Sequence, residues 1–303
     1  MQPTITPAGD GVFQIHLTPP ALPGFGDFIS CWLMTGPATC LVDVGPASTA
    51  DQLVRGLDAL GVMRLDFILI THIHLDHAGA TGHIAARFPE ARIVCHDKGI
   101  PHLVDPVQLW EGSRKVLGAV ADGYGPLLPV PAGRFVPAQG FDEAGIRALI
   151  TPGHAPHHAS YAAGPALFAG EACGVLYALS AGDYMRPATP PRFFLNTALA
   201  SMDLLIAREP GRMVVGHHGI RDNGAELLRR HREQLLFWEG WIAARQSAAD
   251  AADDAVERLA EGLLAEDPLL RAFAGFPAPA QQRERYFLKN SINGFLGWVR
   301  EKR

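Results

Sequence analysis

The sequence predicts an α+β protein with a helical extension at its C-terminal end, on three observations. Short apolar strands run from residue 11 onward. The later strands each end in a loop that carries histidine or glutamate. After about Glu226 the apolar residues recur every three or four positions, and no strand pattern remains.

The elements follow in order. Gly11 to Leu17, Phe28 to Met34 and Thr39 to Val44 read as a meander of antiparallel strands, with Gly36-Pro37 between the last two. Ser48 is expected to open a helix, with Asp51 three residues later completing a weak capping pattern. Leu53, Leu57 and Leu60 form its apolar stripe, and Gly61 ends it. Phe67 to Ile70 is a short buried strand that runs into a histidine cluster. A helix around Thr81 to Phe88 and a strand Arg92 to Cys95 come next. Ile146 to Ile150 leads to Thr151-Pro152-Gly153-His154, Ala166 to Ala169 to Gly170-Glu171, and Arg212 to Val215 to Gly216-His217-His218-Gly219. Ligands at strand ends are held by a rigid sheet yet stay open to solvent. In the tail, Leu228, His231, Leu235, Trp238 and Ile242 mark one amphipathic helix. Val256, Leu259 and Leu263 mark a second, and Leu288, Ile292, Phe295 and Val299 a third. The Ala/Asp-rich stretch Ala248 to Ala255 is compatible with helix. We place one domain, which carries the ligand-bearing loops, over 1–225 and the helical extension over 226–303.

With 303 residues the chain can bury a sizeable core. A hydrophobic share of 48% and a charged share of 19% exclude a disordered chain. The net charge of −5, without a basic block or stripe, argues against a nucleic-acid partner. No aliphatic run is long enough to span a bilayer. Met1-Gln2-Pro3-Thr4 lacks the basic residues and apolar run of a signal peptide, so a cytoplasmic protein is expected. Cys31, Cys40, Cys95 and Cys173 are not spaced as a zinc-knuckle pair and read as buried reduced thiols. Cys173 alone lies near a candidate ligand.

Thr71-His72-Ile73-His74-Leu75-Asp76-His77 carries the chemistry. Imidazole nitrogen and carboxylate oxygen suit zinc, iron or manganese. His72 and His74 stand two apart, so on extended backbone they face the same way. Asp76 and His77 follow where the chain turns and can face a second metal. A loop is expected here, because residues two apart on a helix do not share a face. A lone histidine is usually a core or surface residue; four donors within six positions at a strand end are better explained as a metal site.

The run His72-x-His74-x-Asp76-His77, then Thr-Pro-Gly-His154, Gly-Glu171 and Gly-His217, resembles the metallo-β-lactamase superfamily in order along roughly residues 10 to 225. The strand end Leu41-Val42-Asp43-Val44-Gly45 also resembles a motif of that family. The form of the first motif is more similar to the hydrolytic branches, hydroxyacylglutathione hydrolase and the lactonases, than to the flavodiiron branch. The resemblance implies an αββα sandwich with a dinuclear site at one edge. It implies that His72, His74 and His154 hold one metal, that Asp76, His77 and His217 hold the other, and that Glu171 takes the bridging position. The cofactor implied is a pair of divalent ions, zinc first, with iron or manganese as alternatives.

Two features depart from the family pattern. The bridging acid is usually aspartate, and here Glu171 stands in its place, one methylene longer. Asp183 is the rival, twelve residues later, but Glu171 fits the order and follows an apolar strand. Some lactonases carry a tyrosine three residues after the bridging acid; that position here is Gly174. Tyr177, Tyr184 and His218 are the substitutes as leaving-group donors. Of the adjacent His217 and His218, the family pattern points to His217 as ligand, with His218 turned elsewhere. Asp43 reads equally as a polar strand end or as an acceptor that orients a histidine ligand. His157 and His158 lie just after His154 as neighbours of the site.

The function expected is a metal-dependent hydrolase in which a metal-bridging hydroxide attacks a small ester, thioester or lactone, with Asp76 orienting it and taking a proton. A phosphodiesterase on the same fold, or an iron-dependent oxygen- or sulfur-handling enzyme, are the alternatives. The expected partner is a small-molecule substrate, with no membrane. The apolar stripes of the tail must be buried against something, and a homodimer through the C-terminal helices is one way.

Overall fold

The computed structural model describes residues 2–26, 28–246 and 254–302. Residues 248–253 of the Ala/Asp-rich stretch lie outside the described residues. The chain groups into two compact units, Met1–Ile150 with His157–Gly170, and Thr151–Pro156 with Glu171–Arg303.

In the first unit, β1 (Thr4–Pro7), β2 (Val12–Leu17), β3 (Ile29–Met34), β4 (Cys40–Val42), β5 (Phe67–Leu69), β6 (Arg92–Cys95) and β7 (Phe135–Pro137) form one seven-stranded sheet in sequence order. The meander β2–β3–β4 is antiparallel, with a short Gly36-Pro37 turn between β3 and β4, Gln14 opposite Trp32 and Leu33 opposite Leu41. From β4 to β7 the pairing is parallel, because helices fill the connections. The central strands β3, β4 and β5 are buried along their whole length, which is why they read as continuous apolar runs. The helices of this unit are α1 (Ala50–Ala59), α2 (Leu75–Ala78), α3 (Thr81–Arg87), α4 (Ile100–Val104), α5 (Val107–Leu117) and α6 (Ala119–Tyr124). The helix expected at Ser48 begins instead at Ala50, after a 3-10 turn Ala47–Thr49, and no side chain caps it. Thr49 gives its hydroxyl to the Pro46 carbonyl, and that bond builds the preceding turn in place of the cap.

A second antiparallel run holds β8 (Asp142–Glu143), β9 (Ile146–Ile150), β10 (Ala159–Ala163) and β11 (Ala166–Gly170). It lies against the first sheet. The buried Tyr161 of β10 donates its hydroxyl to the carbonyl of Ile70 at 2.8 Å and sits 3.1 Å from that of Val94. Those carbonyls mark the C-terminal ends of β5 and β6, and this contact fixes the strand end from which the histidine cluster departs.

The second unit contains the hairpin β12 (Val175–Leu179) and β13 (Gly182–Arg186), the pair β14 (Arg212–Val215) and β15 (Ile220–Arg221), and helices α7 (Leu195–Ile206), α8 (Gly224–Ala243), α9 (Ala255–Glu266) and α10 (Ala278–Glu301). The three tail helices fall where the periodicity placed them. Leu228, His231, Leu235, Trp238 and Ile242 are all buried on α8, and Leu288, Ile292, Phe295 and Val299 on α10. Among the described residues no helix is long and apolar enough to cross a membrane.

Candidate metal centre

In the first unit the site is built from the end of β5. The backbone leaves the sheet at Thr71 and stays extended through His74 (φ −62°, ψ 152°). His72 and His74 therefore share a face, their rings 4.5 Å apart between centroids. The turn that follows is the four-residue helix α2, where the sequence reading expected a loop. His77 and Ala78 donate their backbone N–H groups to the His74 carbonyl at 3.0 and 2.8 Å, while Leu75 and Ala78 pack into the core. Only the extended segment before it needed to be non-helical for His72 and His74 to align. The helical turn swings the His77 ring to 4.1 Å from that of His72.

Asp43, just past the end of β4, organises this set. It sits at φ +56°, a left-handed conformation that aspartate tolerates better than most residues, and it is buried. Its Oδ1 accepts the Thr71 backbone N–H at 2.8 Å, and its Oδ2 accepts the Thr71 hydroxyl at 2.8 Å. Oδ2 also lies 2.8 Å from His77 Nδ1. A carboxylate only accepts, so the His77 proton is on Nδ1, which leaves the Nε2 lone pair for a metal. Of the two readings of Asp43, the geometry is that of an acceptor that orients a histidine.

In the second unit, Thr151 to His154 forms a loop anchored on α7. Ser201 donates to the Pro152 carbonyl at 2.6 Å, and Gly153 lies against Ala198 so closely that a Cβ would come 3.0 Å from the Ala198 Cα. His154 Nδ1 donates to the Ala188 carbonyl at 2.9 Å, which again leaves Nε2 as the acceptor. Nε2 faces Glu171, 3.0 Å from Oε2. The other oxygen, Oε1, lies 3.5 Å from His217 Nε2. Burial acts to raise the Glu171 pKa, but the neighbouring His154 and His217 outweigh it and hold the carboxyl well below the usual carboxylate range. The rival Asp183 is instead on the surface, accepting from Arg221 at 2.8 Å. His217 is buried beside Glu171, whereas His218 (φ +44°) stacks on Tyr177 with ring centroids 4.9 Å apart.

Other candidates are placed differently. His157 accepts the Ile73 N–H at 3.4 Å, and the fully buried His158 lies 5.2 Å from the His72 ring, so both lie beside the His72–His74 segment. Tyr184 is fully buried with its ring 5.0 Å from Phe276, sealed from solvent. Cys173 is buried, and burial pushes its thiol up to about 12, so it stays neutral. At Gly174 (φ +73°) a Cβ would meet the Arg186 carbonyl at 2.3 Å; the position that carries tyrosine in some lactonases has no room here for any side chain. Two contributors escaped sequence reading, the Thr71 hydroxyl and the Ala188 carbonyl. Thr71 stands directly before the motif, but its role depends on Asp43, 28 positions away.

The donor set fits divalent metal ions on the structure's own terms. Hydrogen bonds to Asp43 and Ala188 place protons on the Nδ1 side of His77 and His154, and an ionised Glu171 lies between two imidazoles. Fold and side chains together define a class, an α+β protein whose imidazole and carboxylate donors suit divalent metal ions. Comparison with known proteins names the family. The model of the metallo-β-lactamase superfamily matches residues 24–217. The metallo-β-lactamase fold-containing protein ST1585 of Sulfurisphaera tokodaii is 25% identical over 235 residues, covering 74% of this chain and 85% of that protein. A hydroxyacylglutathione hydrolase of Acidiphilium cryptum is 30% identical over 246 residues, covering 80% and 85%. The crystal structure of the archaeal ST1585 superposes with a TM-score of 0.69 at 21% identity, over 97% of this chain and 99% of that one. TTHA1429 of Thermus thermophilus, a metallo-β-lactamase family protein, gives 0.64 at 22% identity, over 96% and 94%. The chain belongs to the metallo-β-lactamase superfamily, has its fold, and is a metal-dependent hydrolase.

Proposed function

We propose that this hydrolase is dinuclear and acts on a small thioester or ester, with lactones in the same reach. Glu171 carries the reading: its two oxygens are divided between His154 and His217, the arrangement a bridging carboxylate needs. In this reading His72, His74 and His154 form one donor group, Asp76, His77 and His217 the other, and Glu171 serves both; the groups have the composition of metal sites. Two divalent ions held there, zinc first, would supply Lewis acidity and bring the pKa of a water toward neutrality. The chain's own residues do the rest. Asp76 takes and passes on the proton released in hydrolysis. Asp43 and Ala188 keep the ligand imidazoles turned with Nε2 inward. Relatives named hydroxyacylglutathione hydrolase, at 30% and 31% identity, support the thioester end of the range. The closed space at Gly174 speaks against a lactonase that relies on tyrosine at that place.

Elemental analysis of protein purified without added metal, followed by a panel of thioesters, esters, lactones and phosphodiesters, tests this. Two equivalents of metal and turnover of thioesters or esters are expected. One equivalent or none after reconstitution overturns the dinuclear reading. Turnover confined to phosphodiesters overturns the substrate class.

A further inference from the structure

Asp43, Thr71, His72 and His77 form a closed relay in the buried end of the first unit. The Thr71 hydroxyl has one proton, and it goes to Asp43 Oδ2 at 2.8 Å. The Thr71 hydroxyl oxygen itself lies 3.0 Å from His72 Nδ1, so there it can only accept, and the His72 proton is on Nδ1. Asp43 Oδ2 takes the His77 Nδ1 proton directly at 2.8 Å. One carboxylate thus sets the tautomer of two histidines, one directly and one through a hydroxyl.

From this we infer that Thr71 and Asp43 are positioning residues with unequal reach over the two metal subsites. The inference rests on the dinuclear reading, in which His72 serves one ion and His77 the other. Asp43 holds both imidazoles with Nε2 ready for a metal, and Thr71 extends that control to His72 alone. The substitutions follow from hydrogen-bond polarity. Thr71→Val keeps the shape and the backbone N–H, removes the hydroxyl, and leaves the Asp43–His77 bond in place. Thr71→Ser restores the hydroxyl. Asp43→Asn presents an amide NH2 where Oδ2 stood. That group donates to His77 Nδ1 and to the Thr71 oxygen, which then donates to His72 Nδ1. Both histidines are driven to carry their proton on Nε2, the atom a metal needs.

The test is calorimetric titration of the metal-free full-length protein with Zn²⁺. Wild type binding two equivalents tests the dinuclear reading itself, and one equivalent or none fails that reading whatever the variants do. Given two, Thr71→Val is expected to weaken one site by about 10- to 100-fold and leave the other unchanged, the usual cost of losing a partner of a ligating histidine. Thr71→Ser restores both sites, and Asp43→Asn weakens both. Unchanged affinities in Thr71→Val, equal weakening of both its sites, or no rescue by serine overturns the inference. A second measurement needs no variant. In long-range ¹H–¹⁵N spectra of the metal-free wild type, the neutral rings of His72 and His77 are expected to carry their protons on Nδ1. An Nε2–H tautomer at either overturns the relay.

Discussion

Arg186 and Glu284 form a buried ion pair, Nε to Oε2 at 2.6 Å, that ties β13 to α10 across 98 positions of sequence. Arg283 donates to the other oxygen of Glu284 at 3.0 Å and to the Tyr177 hydroxyl at 3.0 Å. A buried carboxylate that serves two guanidiniums is costly to remove, because both charges stay behind in low dielectric. Glu284→Ala is therefore expected to cost about 3–5 kcal/mol in urea unfolding. A cost below about 1 kcal/mol contradicts the role given to the pair. Burial raises the Glu284 pKa, but Arg186 and Arg283 outweigh it, and the net effect is downward from 4.5. A carboxyl depressed in the folded state stabilises fully above its unfolded value and loses that contribution as pH falls. The stability gap between wild type and Glu284→Gln is expected to hold steady above pH 4.5 and to shrink below it.

His231 gives a pH effect in a different window. It is buried on α8, with Nδ1 3.0 Å from Gln234 Oε1, and burial lowers its pKa from 6.5 to about 4. Between these values the unfolded chain takes up a proton that the folded ring refuses. Stability should therefore be fully present above pH 6.5 and decline as pH falls toward about 4, by up to about 3 kcal/mol. Unfolding free energies of wild type and His231→Leu across that range check this. An identical slope in both excludes His231 as its source.

Gly170 precedes Glu171 at φ +55°, and a Cβ there would come 2.5 Å from His158 Nε2 and 3.0 Å from Thr71 Cβ. Gly61 has a similar φ of +69° but open space around it. Gly61→Ala should cost about 1 kcal/mol for the left-handed backbone alone. Gly170→Ala should cost clearly more and lower metal content as well, since Glu171 shifts with it. Equal losses in thermal unfolding count against the collision.

Glu171 and Asp183 separate in metal binding. Glu171→Gln removes the anion between His154 and His217 and is expected to weaken metal affinity by at least about tenfold. Asp183→Asn loses only the surface pair with Arg221 and should leave metal content unchanged. Metal loss in Asp183→Asn alone reverses the assignment. Asp76→Ala should abolish turnover if Asp76 handles the proton, and unchanged activity removes that role.

The cluster His72, His74, Asp76 and His77 is legible in the chain because its donors are local, packed at the end of one apolar strand whose burial the composition already shows. His154, Glu171 and His217 are legible one step less directly, by the order of motifs at successive strand ends. The tail helices are legible from periodicity alone, since an amphipathic stripe records which face must be buried. The hairpin β12–β13 is not, because its strands carry no clean alternation, and its second strand ends on Arg186, whose partner Glu284 is 98 positions away. Nor is the difference between Glu171 and Asp183, two acids of one chemistry that only non-local packing separates. Sequence by itself determined the donor types, their order and the apolar strands and stripes that carry them, because those are properties of short segments. Tertiary structure alone decided which acid faces the histidines, which proton His72, His77 and His154 keep and why position 174 must be glycine. These depend on contacts between distant residues, and hydrogen-bond direction and steric room exist only once those residues meet.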